Sequence, residues 1–316
     1  MDLVARTDDT HRQLLELLPP DLMDLSDLDV GISRLMTMLG GAVAELPQSV
    51  VIDDYLVPAS DGHQILVRLY RPAVARLNSP CLYWIHGGGL VLGNVAMDDA
   101  ACAAIVDALN IVVASVEYRL APAFPYPVPL DDCYSGLEWL MGAVGTLGLN
   151  PQRIAIGGGS AGGGLAASVA LLARDRGQLR PCFQLLRYPM IDDRNTTQSS
   201  QAVTDLRVWN RSANLTGWGA YLGDAAGTDD VSPYAAAARA TDLGGLPPTI
   251  VTVGELDLFL DEDIEYAQRL IAAGVSTELH VYRGCIHGSD AMVPHSETVQ
   301  QWKRDELTAL DRALNG

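Results

Sequence analysis

Three residues in this chain pair the side chains of acyl-transfer chemistry with positions that would let them meet. Ser160 lies in Gly158-x-Ser160-x-Gly162, between the apolar run Ile154-Ala-Ile156 and the apolar pattern of a helix. Asp257 closes Gly254-Glu-Leu-Asp257 after the run Thr249–Val253, and His287 closes Gly284-Cys-Ile-His287 after Glu278–Tyr282. A serine hydroxyl attacks a carbonyl only when an imidazole takes its proton and later returns it to the leaving group. A buried carboxylate must in turn fix the imidazole tautomer. Strand, glycine-flanked serine, helix is the pattern of a nucleophile elbow, and Ser, Asp, His is the chain order that accompanies it. The flanking positions must be small, because larger side chains would strike the adjoining strand and helix.

Other residues compete for these roles. Among the histidines, His280 lies inside a strand, His295 starts a helix, and His11 and His63 precede the sheet. Glu255 stands closer to the strand than Asp257 and is expected to point elsewhere, while Asp261 and Asp263 suit the positive end of the following helix. The elbow also spells G-x-G-x-x-G through Gly157, Gly159 and Gly162, a dinucleotide fingerprint. That reading needs an acid at the end of the next strand, which instead ends in Arg187-Tyr188. A glycine-rich linker is disfavoured by the apolar runs on both sides.

The chemistry also needs donors for a developing oxyanion. His86-Gly87-Gly88-Gly89 follows the apolar run Cys81–Ile85 and offers the N–H groups of Gly88 and Gly89, with that of Ala161 behind the serine.

These residues must be held by strands and helices, and the chain supplies both in alternation. Val50–Tyr55 and Gln64–Tyr70 alternate around Ser60-Asp61-Gly62 and predict an edge hairpin with Ile65, Val67 and Leu69 on one face. Cys81–Ile85, Ile111–Ser115, Ile154–Ile156, Cys182–Tyr188, Thr249–Val253 and Glu278–Tyr282 read as further strands, separated by helical stretches near 98–109, 131–147, 161–174 and 260–273. Proline crowding predicts a rigid loop over Glu117–Pro129, and a last helix is expected from about His295 to Leu314. The rhythm predicts a mainly parallel, doubly wound α/β sheet of about eight strands, with chemistry at the strands' carboxyl ends. Residues 10–46 form helices broken by Pro19-Pro20 and ended by Gly40-Gly41, and residues 192–240 interrupt the rhythm as an insertion. Both are expected to form a cap over one domain spanning 1–316.

Composition narrows the classes. The chain has 316 residues, 48% hydrophobic and 19% charged, which fits one α/β domain with an appendage. A net charge of -18 without a basic run argues against nucleic acid and anionic membranes as partners. No apolar run approaches the roughly 20 residues that span a bilayer, and the acidic N-terminus lacks a signal peptide's apolar region. A cytoplasmic location is therefore expected. The five cysteines are scattered, so neither a disulfide framework nor a zinc site is expected; Cys285, two residues before His287, is the thiol whose reactivity matters. A homodimer through an edge strand or the last helix is an open expectation.

His86-Gly-Gly-Gly89, Tyr118-Arg-Leu-Ala-Pro122, the Gly-x-Ser160-Ala-Gly-Gly elbow, Leu246-Pro-Pro248, Asp257 and His287-Gly288 together resemble the bacterial hormone-sensitive-lipase-like carboxylesterases, family IV of the α/β-hydrolases. The resemblance covers most of the chain from Val50 onward. It implies an esterase of short-chain acyl esters with a small-molecule substrate and no metal or cofactor, and a helical cap from about 1–47 and 192–240. It also implies that His86 and Gly87 shape the oxyanion loop. Three positions depart from the family pattern: Gly159 replaces a frequent Asp, Leu258-Phe259 replaces a Pro-Leu pair, and Ile286 replaces an aromatic residue. Trp209, Trp218, Ile286 and Leu258 are the candidate pocket walls. Two other uses of this scaffold stay open: a small-molecule-binding protein, as in the plant gibberellin receptors, and lactone or amide hydrolysis with the same three residues.

Overall fold

The computed structural model describes residues 1–39, 46–74 and 76–316; Gly40 and Gly41, expected to end a helix, lie outside them. Among the described residues eight strands run in chain order: β1 Val50–Pro58, β2 Gln64–Pro72, β3 Ser79–Ile85, β4 Val112–Glu117, β5 Leu149–Gly159, β6 Gln184–Arg187, β7 Thr249–Gly254 and β8 Thr277–Tyr282. The first helices are α1 Leu3–Arg6, α2 Asp9–Leu17 and α3 Leu28–Leu39, followed by α4 Asp99–Leu109, α5 Val128–Gly142, α6 Val144–Leu147 and α7 Ala161–Arg176. The remainder are α8 Gln198–Ala202, α9 Arg211–Leu222, α10 Leu260–Ala272, α11 Ser289–Met292 and α12 Glu297–Leu314.

The strands form one sheet in the order β1-β2-β4-β3-β5-β6-β7-β8. The β1–β2 and β2–β4 pairs are antiparallel and every later pair is parallel. All seven residues of β3 are buried, as a continuous apolar run predicts for a strand covered on both faces. Its period of two divides the core. Cys81, Tyr83 and Ile85 join the cluster with α5 and α7, while Leu82 and Trp84 join Cys102 and Ile105 of α4 and Leu310 of α12. Every residue of α7 from Ala161 to Ala173 is buried, so this helix is covered on all sides.

The proline-rich segment differs from expectation. Its loop is shorter, because α5 begins at Val128 and takes Pro129 into its first turn. A first-turn residue has no intrahelical acceptor for its N–H, so proline loses nothing there. The stretch expected as one helix to Leu147 is broken at Ala143 into α5 and α6.

The N-terminal segment and residues 192–240 bind each other. Met23 N–H donates to Leu206 O at 2.7 Å, Arg207 Nη1 to Leu15 O at 2.9 Å, and Asn210 Nδ2 to Met23 O at 3.3 Å. Among the described residues no helix is long and apolar enough to cross a membrane.

The first turn of α10 buries Glu262 and Asp263. Glu262 Oε1 accepts the N–H groups of Ile191 and Asp192, each at 3.1 Å, but burial foremost, then the Asp192 charge, drives its pKa well above 4.5. Between the unfolded value and the higher folded one, the unfolded chain has lost this proton and the folded chain keeps it. Stability therefore falls as pH rises through that window. Glu262→Gln keeps the acceptor and removes the titration. Urea melts at pH 5 and pH 8 should show the variant gaining on the parent at the higher pH; an equal difference at both would refute the assignment.

Candidate active site

The elbow is built by close packing of backbone. Ser160 joins β5 to α7 with φ 57° and ψ −122°, a conformation costly for a residue with a Cβ. It is held by its own N–H, which donates to Arg187 O at 2.9 Å, and by its carbonyl, which accepts from the N–H groups of Gly164 and Met190 at 3.0 Å each. A Cβ on Gly162 would lie 2.0 Å from Ile85 O, so the helix start is pressed against the end of β3. Gly159 is unlike its neighbours: a Cβ there would meet nothing nearer than Tyr188 Cε2 at 3.7 Å. A Cβ at this position would thus make only ordinary contacts, so the departure from a frequent Asp does not answer a need for a tighter turn.

His287 leaves the end of β8 and reaches both partners. Its Nε2 lies 2.9 Å from Ser160 Oγ and its Nδ1 2.8 Å from Asp257 Oδ2. Asp257 is 1% exposed and its second oxygen accepts the Phe259 N–H at 3.0 Å. A carboxylate only accepts, so the proton of a neutral His287 sits on Nδ1 and the Nε2 lone pair faces the serine. The edges of Tyr188 and Phe259 pack on the imidazole with centroids 4.5 and 5.2 Å away. Phe259, in the turn that lacks a proline, therefore steadies the histidine directly.

Three of the competing groups are engaged elsewhere. Glu255 binds Arg6 and the Gly284 N–H, Asp261 accepts the Ser199 N–H, and His280 lies half-exposed near Glu278 and Asp305. Cys285 is buried, which pushes its thiol up to about 12. It is not a second nucleophile.

Opposite the histidine, the turn after β3 folds tightly: the N–H groups of Val91 and Leu92 donate to Gly88 O at 3.1 and 3.0 Å. Gly88 has φ 119°, and a Cβ there would sit 1.9 Å from Leu92 O. Among the described residues, the N–H groups of Gly88, Gly89 and Ala161 donate to no protein atom. That leaves them available for an oxyanion. His86 is buried, which lowers its pKa below 6.5, and its Nδ1 donates to Gly87 O at 2.8 Å. Its ring stacks on Tyr118 at 4.3 Å, and the Tyr118 hydroxyl donates to His86 O at 3.0 Å.

A cavity of about 550 Å³ opens on Ser160, His287 and Gly87–Gly89. Trp209 lines it, with its ring 6.4 Å from His287 and its indole N–H held by Asn214 at 3.2 Å. Met23 and Leu35 contribute from the N-terminal segment, and Asp98, Arg187 and Tyr188 also line it. Two expected wall residues are corrected. Ile286 and Leu258 are fully buried and do not line the cavity. Ile286 precedes His287 and turns into the core where His287 lines the cavity; Leu258 follows Asp257, which is itself buried and off the cavity wall. Trp218 is likewise buried, against Tyr221.

Sequence reading missed Tyr188, Phe259, Met23 and the buried histidine His11. Arg187-Tyr188 was legible only as the lack of an acid, although Arg187 anchors a buried ion cluster with Asp290 and Glu306 at 2.8 and 2.6 Å.

A serine on a strand-to-helix turn, set in an eight-stranded, mostly parallel sheet, defines an α/β-hydrolase. A family model described as alpha/beta hydrolase fold matches residues 82–290. The carboxylesterase NlhH of Mycobacterium tuberculosis is 34% identical over 315 residues, covering 99% of this chain and 98% of that protein. An ethyl acetate hydrolase of Pseudomonas putida is 30% identical over 239 residues, 75% of this chain and 74% of that one. Among solved structures, a bacterial heroin esterase superposes with a TM-score of 0.94 at 39% identity, covering 98% of this chain and 99% of the other. The chain belongs to the hormone-sensitive-lipase-like, family IV branch of the α/β-hydrolases, and it is a carboxylic-ester hydrolase.

Proposed function

We propose that the chain hydrolyses short-chain acyl esters through an acyl-enzyme, with Ser160 as nucleophile, His287 as general base and then acid, and Asp257 as the orienting carboxylate. The observation that carries this reading is the unbroken hydrogen-bond path from Asp257 through His287 to Ser160 at 2.8 and 2.9 Å. In attack, the Ser160 proton passes to His287 Nε2 as Oγ bonds the carbonyl carbon. The carbonyl oxygen, now negative, meets the N–H groups of Gly88, Gly89 and Ala161 at the N-terminus of α7. Asp257 stabilises the imidazolium, which then protonates the departing alkoxide. A water molecule repeats the sequence on the acyl-enzyme and frees the acid.

The described part of the N-terminal segment and residues 192–240 act as a cap in this reading, which is supported by Met23, Leu35 and Trp209 lining the cavity. Bulky side chains in the same cavity as the serine favour small acyl groups, in keeping with the relative named ethyl acetate hydrolase. An acyl-length series of p-nitrophenyl esters should give the highest kcat/KM at two to about four carbons. A maximum at long chains would refute the acyl preference. An organophosphate should label Ser160 stoichiometrically, and failure to do so would refute the acyl-enzyme.

A further inference from the structure

Residues Arg6 to His11 reach both loops that carry the acid and the histidine. His11, on α2, is completely buried, with Nδ1 2.7 Å from Asp8 Oδ1 and Nε2 2.9 Å from Ser289 Oγ. Asp8 Oδ1 also caps the helix by accepting the backbone N–H of His11 at 2.9 Å. The imidazole is thereby fixed from the helix start. Ser289 stands two residues past His287, and its hydroxyl donates at 2.7 Å to the carbonyl of Ile286, the residue just before His287. Ser289 Oγ thus stands between the imidazole and the Ile286 carbonyl, within hydrogen-bond distance of both. A second contact lies beside this one. Arg6 Nη2 donates to Glu255 Oε1 at 2.9 Å, and Glu255 Oε2 accepts the Gly284 N–H at 3.0 Å. Glu255 precedes Asp257 by two residues, and Gly284 precedes His287 by three.

We propose that the Asp8–His11–Ser289 chain makes His11 a positioning residue, setting the backbone of the Ile286–Gly288 turn and hence the reach of His287 to Ser160. This rests on His287 being the general base. The turn needs such a hold because its backbone is exacting: Gly288 has φ 75°, and His287 must meet two partners in a fixed line. Proton transfer is steeply sensitive to that line, a misplacement of about 1 Å costing about 100-fold in rate. The N-terminal segment is thus more than a cover, because it is hydrogen-bonded to the loop that does the chemistry.

The test compares His11→Leu, His11→Gln, Ser289→Ala and the Leu/Ala double variant, assayed well below the lowest melting temperature of the set. Each Leu or Ala variant should lower kcat about tenfold while KM stays within about twofold, and organophosphate labelling of Ser160 should slow in proportion. The double variant should lose no more than either single one, because both changes break one chain. His11→Gln, whose amide N–H can reach Ser289, should recover most of the loss. A lowered melting temperature with kcat unchanged would overturn the proposal, as would losses that multiply. Ser289→Ala removes one oxygen and decides the matter if His11→Leu does not fold. Parent turnover, and its loss in Ser160→Ala, are read separately, so an unaffected Ser289→Ala would reject the positioning role and leave the esterase reading standing.

Discussion

Ser160→Ala should lower kcat on a p-nitrophenyl ester by about 10⁶-fold, close to 8 kcal/mol of transition-state stabilisation, with little change in KM. Removing the hydroxyl removes covalent chemistry and leaves the Gly88, Gly89 and Ala161 donors, the cavity and its walls in place. A residual acceleration of about 10³-fold over the uncatalysed reaction is therefore expected. Fold stability should barely change. The backbone of residue 160 is held by Arg187, Gly164 and Met190 through main-chain bonds that alanine also makes, and the positive φ is as demanding for one residue as for the other. Thermal denaturation beside the assay separates lost chemistry from lost structure. Turnover within tenfold of the parent would mean that the elbow serine is not the nucleophile.

Asp257→Asn carries the next largest expected effect, about 10⁴-fold in kcat, for a reason specific to this site. One carboxylate oxygen accepts the Phe259 N–H and the other faces His287 Nδ1. An asparagine satisfies Phe259 with its carbonyl oxygen, which places its NH₂ against Nδ1. The imidazole must then accept at Nδ1 and carry its proton on Nε2, where it can no longer receive one from Ser160. The substitution imposes the wrong tautomer rather than merely weakening a bond. Asp257→Ala, which leaves the ring free to choose, should lose no more activity than Asp257→Asn. A loss below tenfold for Asp257→Asn would remove Asp257 from the mechanism.

Local pattern and strand-end logic together point to the serine, acid and histidine that the fold brings within hydrogen-bond distance. The elbow is a contiguous signature, because a serine at positive φ between a strand and a helix requires small residues at fixed offsets. Asp257 and His287 could be chosen among several acids and histidines because a parallel sheet collects its polar strand ends on one side. Walls were harder. Ile286 and Leu258 are adjacent in sequence to the candidate histidine and acid, and that adjacency carries no information about direction. Trp209 was chosen for its type and does line the cavity, whereas Trp218, chosen likewise, does not. Phe259 and Tyr188 support the imidazole with aromatic edges that no spacing rule announces. The start of α5 was obscured because proline breaks a helix interior yet is harmless in its first turn. His11 was set aside for lying before the sheet, and nothing local to residue 11 reveals a partner 278 positions away.

That separation bears on how the molecule comes to be assembled. Joining His11 to Ser289 in an otherwise open chain would cost about 5 kcal/mol in loop-closure entropy, more than one hydrogen bond returns. The contact can form only once the sheet has drawn the two regions together. β8, which leads into the histidine loop, is an outermost strand that among the described residues pairs with β7 alone, at the far edge from β1. Refolding should therefore bring back native far-ultraviolet ellipticity before esterase turnover, the last increment of activity arriving with the N-terminal clasp.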